Sequence, residues 1–105
     1  MSRYVSSDTT SAVDIQTRAV VSRMTSATTA LRSTVFGFDA GAGSSEQQAS
    51  RAAIVHVTKG QLEFIVDGEK LDAGPGFWLH IEPGTLHSLR AREPTVMLLT
   101  LVDAA

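Results

Sequence analysis

The sequence predicts an all-β fold, an antiparallel sandwich or barrel. Three observations carry this. Seven or eight short runs rich in β-branched and aromatic residues recur at even spacing. Glycine- and proline-bearing corners separate them, at Asp67-Gly68, Gly74-Pro75-Gly76 and Pro83-Gly84. Helical periodicity is poor, with only residues 11–23 and 46–53 able to form short helical turns.

A chain of 105 residues has room for one domain and a modest core, and its 43% apolar content fits a globular protein. Cysteine is absent, which excludes a disulfide framework, a thiolate metal site and a cysteine nucleophile. A formal charge of -2, with lysines and arginines scattered, gives no footprint for nucleic acid or an anionic membrane. No run is long and apolar enough to span a membrane as a helix, and MSRYVSSDTTSAVD lacks the apolar segment of a signal peptide. A cytoplasmic location is the resulting expectation.

Residues 1–14 are rich in Ser, Thr and Asp and read as a flexible N-terminal arm. The alternative is an edge strand that orders against a partner subunit, anchored by Tyr4 and Val5. Residues 15–105 form the folded domain. Val20, Val21 and Met24 mark a first strand, residues 25–29 a polar turn, and residues 31–39 a second strand with Thr34, Phe36 and Phe38 at period two. The small and polar stretch AGAGSSEQQASR reads as a loop. Residues 52–58 form a strand that Gly60 turns into residues 61–66. Asp67-Gly68 predicts a tight hairpin, because a type I′ turn needs positive φ and glycine supplies it cheaply. Residues 70–72 return. Residues 77–81 and 88–92 flank a turn that contains His87, and TVMLLTLV, the most apolar run, belongs near the middle of a sheet.

Gly76, Gly84 and His87 keep the spacing of a motif in which glycine, proline, glycine, histidine and asparagine follow one another at fixed intervals; here the proline position holds Glu82 and the asparagine position Ala91. Gly60 matches the glycine that closes a second, upstream motif. In these features the chain resembles the cupins, over about residues 34–102. The resemblance implies a single-domain antiparallel jelly-roll β-barrel of the RmlC-like type. It also implies a homodimer, since small cupins commonly pair. The upstream motif normally carries two histidines and a glutamate; counting back from Gly60, those positions fall on Glu46, Gln48 and Ala53. The metal site implied by the resemblance is therefore degenerate: His87, Glu46 and Gln48, one imidazole, one carboxylate and one amide. Such a set allows at most one divalent transition metal, Fe, Mn, Ni or Zn, bound less firmly than by three imidazoles.

The expected ligand pocket comprises His87, Trp78, His80, Glu46 and Gln48, with Gln47 as a substitute for Gln48. In the family template Ala53 points inward, so Val55 and Val57 share its face and His56 faces outward. Trp78 and His80 share one face of their strand, opposite Leu79 and Ile81; which face meets the pocket depends on strand register. Arg90 and Arg92 alternate on one strand face and read as solvated surface. Neither a nucleophile elbow nor a phosphate cradle is present. Three functions follow as expectations. The first is a module that binds a small organic molecule around His87. The second is a metal-dependent dioxygenase, isomerase or lyase, in which His87 and Glu46, joined by His80 if that residue points inward, hold the ion. The third is a metal-free enzyme with His87 as general acid or base, which needs Glu46 or Glu82 as partner.

Overall fold

The computed structural model describes residues 4–103. The ends of the expected arm and of the expected domain, residues 1–3 and 104–105, lie outside the described residues. Nine strands are present there and no helix: β1 (Val20–Ala27), β2 (Leu31–Phe38), β3 (Gly43–Gln48), β4 (Ala52–Lys59), β5 (Leu62–Val66), β6 (Glu69–Ala73), β7 (Trp78–Ile81), β8 (Leu86–Ala91) and β9 (Thr95–Val102). They build two antiparallel sheets, in the orders β1-β2-β9-β4-β7 and β3-β8-β5-β6. No helix is therefore long and apolar enough to cross a membrane.

Period-two patterning explains the core. On β4 the buried residues are Ala53, Val55 and Val57; on β5 they are Leu62 and Phe64. These alternate positions face one another across the gap between the sheets and join Phe38, Ile81, Ala91 and Met97 in one cluster. β9 is the central strand of its sheet, paired along its length with β2 and β4. Its inward residues Met97, Leu99 and Leu101 face the other sheet, while outward Leu98 lies beside residues 5–9 of the N-terminal segment, so apolar residues occur on both faces.

Two turns bound β5, one at each of its ends. Asp67 and Gly68 have φ of 50° and 78°, the positive pair that a type I′ hairpin requires, and they join β5 to β6. Gly60 has φ of 90°, and a Cβ there would collide with the backbone of Pro94 and the side chain of Thr95. The Thr95 hydroxyl, itself buried, accepts from Gln61 N at 3.0 Å and lies 2.7 Å from the Glu93 carbonyl, to which it can donate. The starts of β5 and β9 are thereby tied together.

Three local expectations are corrected. The stretch expected as a loop contains β3, whose backbone pairs with β8. Its Gly-Ser-Glu-Gln composition has low strand propensity, but an available sheet edge supplies the hydrogen bonds. The same strand replaces the helical turn expected over residues 46–53. The turn expected over residues 25–29 is shorter, because β1 continues to Ala27 through an irregularity between Met24 and Ser26.

Residues 4–19 contain no strand. Val13 and Ile15 nevertheless pack over Gly37, on the outer face of the first sheet. The Arg18 amide donates to Asp39 Oδ2 at 2.6 Å, which fixes the entry into β1. Tyr4 and Val5 are exposed.

Candidate functional site

The inner faces of the two sheets do not meet everywhere. At the end opposite Gly60 they enclose a cavity of about 390 Å³. Its walls are apolar: Phe36, Phe38, Phe64, Met97, Leu99 and Leu101 are among them. Its polar groups come from residues 44–51 and from His87.

His87 enters the cavity because of its register. It sits opposite Val66 on β5 and opposite Gln47 on β3, and paired residues project to the same face. Leu89 and Ala91, the next alternate residues of β8, lie in the same wall and the core. His87 Nδ1 is 3.2 Å from the Thr85 carbonyl. A carbonyl only accepts, so the neutral ring carries its proton on Nδ1 and its lone pair on Nε2.

Gln47, rather than Gln48, is the direct neighbour of His87. β3 carries a register shift between Ser44 and Gln47, and both of these residues pair with inward-facing residues of β8. Residues three apart on a regular strand face opposite ways; the bulge restores them to one face. Gln48 also borders the cavity, but its amide Nε2 donates to the Gly84 carbonyl at 2.9 Å. Gln48 thus clamps β3 to the turn that precedes His87.

Three of the expected pocket residues lie elsewhere. Glu46 falls on the bulge and lines a separate groove on the outer side of β3, β8 and β5, with Glu63 and Arg90. Trp78 and His80 face outward. Their partners on β4 are His56 and Ile54, whereas the alternate residue Ile81 pairs with inward-facing Ala53. Trp78 is 59% exposed. It lies beside His80, with ring centroids 6.5 Å apart, and His80 Nε2 is 3.9 Å from Glu82. The register left open by the sequence is settled here by the β4–β7 pairing.

The expected metal set is therefore divided. His87 and Gln48 border the cavity and Glu46 does not. Among the described residues no group of three or more histidine, cysteine, aspartate or glutamate side chains is placed to hold a metal ion. One imidazole beside neutral amides does not match the several-imidazole, one-carboxylate donor set of a transition-metal centre. Neither carboxylate considered as a partner for His87 is in place: Glu82 is beside His80, and Glu46 is on the outer face.

Arg51 is a cavity residue that the sequence did not single out. It precedes β4 at the rim, and its Nε is 3.0 Å from Asp103 Oδ1. A lone arginine in a stretch of small polar residues carries no sequence signal.

Two facing antiparallel sheets with a cavity at one end define the class, a two-sheet β protein with an internal cavity. The chain belongs to the cupin family: the model of the cupin domain matches residues 34–103. No curated protein matches it. Among solved structures it is similar to a conserved protein of unknown function from Streptococcus pyogenes. The TM-score is 0.87 at 27% identity, covering 100% of this chain and 92% of that one. It is also similar to KdgF from Halomonas sp., with a TM-score of 0.73 at 27% identity, covering 81% of this chain and 80% of that one. A putative mannose-6-phosphate isomerase from Ralstonia eutropha shares the fold, with a TM-score of 0.82 at 20% identity, covering 94% and 98% of the two chains.

Proposed function

We propose that this cupin binds a small organic molecule in the cavity between its sheets, and that the two sheets form the jelly-roll barrel its family implies. One observation carries the reading: an apolar cavity of about 390 Å³ has His87, Gln47 and Arg51 on its polar side. Pockets of that size, apolar with a few convergent polar groups, are the ordinary form of a small-molecule site. Binding without a resident metal suits the donor set better than metal-assisted catalysis. His87 Nε2 would then accept a hydrogen bond from the ligand, while Gln47 offers both a donor and an acceptor.

The test is calorimetric titration of the wild type with indole, a neutral apolar probe, beside Ser44→Trp. Ser44 lines the cavity and faces Leu89, so an indole side chain there would occupy the space. Saturable binding by the wild type and none by a Ser44→Trp protein with unchanged circular dichroism is expected. Equal binding by both would remove the cavity as the site. Incubation with iron, manganese, nickel and zinc, followed by elemental analysis, tests the rival reading. One equivalent of metal in the wild type and none in His87→Ala would replace the present proposal.

A further inference from the structure

We infer that the cavity selects molecules with an apolar body and a carboxylate, and that Arg51 is the residue that holds the carboxylate. This deepens the proposed function and rests on the cavity being a binding site.

The first argument is the sign of the charge. Among the described residues Arg51 is the one lining residue that is charged at neutral pH irrespective of its surroundings, and no aspartate or glutamate is in the lining. The chain as a whole carries a formal charge of -2, so this cation, paired with Asp103 outside the lining, is not part of a generally basic surface. Among the described residues an anion entering the cavity meets no carboxylate in the lining; the nearest to Arg51 is its partner Asp103.

The second argument is what the polar groups have left to give. Gln48 is committed to the Gly84 carbonyl, and the His87 Nδ1 proton to the Thr85 carbonyl. Arg51 is different. Its contact with Asp103 runs through Nε, one of five N–H donors, at 3.0 Å. That contact steadies the guanidinium plane and leaves further N–H groups in the forked arrangement that a carboxylate accepts in parallel. Both partners are partly exposed, at 40% and 35%. Ion pairs of that exposure are weak and readily exchanged.

The third argument is placement. Arg51 stands at the rim, and Phe36, Phe38, Met97, Leu99 and Leu101 form the walls behind it. A ligand with an apolar body and one anionic end fits this polarity. The apolar walls lower the local dielectric, which strengthens a charged hydrogen bond formed at their edge. Gln47 and His87 Nε2 remain for a second polar group.

The competing explanation is that Arg51 and Asp103 only clasp the ends of β4 and β9, where Ala52 pairs with Val102. Titration with phenylacetate and with its neutral isostere phenylacetamide separates the two. The wild type should prefer phenylacetate by about tenfold or more, the range of a charge-assisted hydrogen bond. Arg51→Met should remove that preference, read as the ratio of the two affinities. Arg51→Lys should retain part of it, and Asp103→Asn should keep or raise it. Melting temperatures of all variants are read in parallel. Equal losses of melting temperature in Arg51→Met and Asp103→Asn, with the ratio of affinities unmoved, would establish a clasp and overturn the inference. Saturable indole binding without any preference for phenylacetate would also overturn it while leaving the cavity as a site. No binding of indole either would overturn the parent reading.

Discussion

The two ends of the space between the sheets are built differently. At the Gly60 end, Val57, Leu62, Ala73, Ala91 and Thr95 are at most 1% exposed, and the sheets touch. At the β3 end the same sheets stand apart around the cavity, and the facing residues are Ser44, Gln47, Gln48, Arg51 and His87. The closed end holds the fold. The open end spends apolar contacts that packing would otherwise provide, and such concessions are expected where a site is kept. Stability and binding should therefore separate by position along the strands.

The largest effect should come from the wall between the two ends. Phe64 is 1% exposed and stacks near Phe77, with ring centroids 6.1 Å apart. Phe64→Ala should lower unfolding free energy by about 3–5 kcal/mol, through lost burial and the void left behind. Urea unfolding monitored by circular dichroism measures it. A loss under about 1 kcal/mol would show that this region is already loosely packed, and the contrast between the ends would disappear.

The closed end was also the more legible end. The bounds of β9 follow from its apolar run, and Gly60 announced a turn that its dihedral angle displays; at the open end only the Asp67-Gly68 hairpin, next to Val66, was as plain. Each depends on chemistry local to a few residues. The open end depends on pairing between distant segments. β3 has no apolar pattern to reveal it, because one edge of it meets water and its inner face lines a cavity. Its bulge moves Gln47 beside His87, where counting along the chain points to Gln48 and Glu46. A one-residue shift in register exchanges the faces of a strand, so the sequence could not choose between the faces of Trp78 and Leu79 either. Pairing with β4 made that choice.

A smaller effect on stability is expected from His87→Ala. The ring is half-buried at the open end and is bonded to a carbonyl two residues away. Unfolding free energy should change by less than about 1 kcal/mol. Indole affinity should fall, since the substitution removes part of the cavity wall. A destabilisation comparable to that of Phe64→Ala would assign His87 to the core instead and weaken the division between the ends.

The smallest effect belongs to the outer surface of the second sheet, which neither end controls. Arg92 lies 2.6 Å from Glu63 and 2.9 Å from Asp72, and Lys70 reaches Glu63 at 3.3 Å. The hydrogen bond from Arg92, aided by Lys70, holds the Glu63 carboxyl below its ordinary value of 4.5 and so favours its charged form in the folded protein. A carboxyl whose folded value is depressed adds stability above its unfolded value and loses it as pH falls through the folded one. The wild type should therefore lose more of its urea midpoint between about pH 5 and about pH 3 than Glu63→Gln does. Because these groups lie at the surface, with Glu63 itself only partly covered, the difference should shrink in high salt. Parallel titration curves for the two proteins at low salt would mean that this surface network contributes nothing to the acid sensitivity of the fold, and that the charge balance which matters is elsewhere.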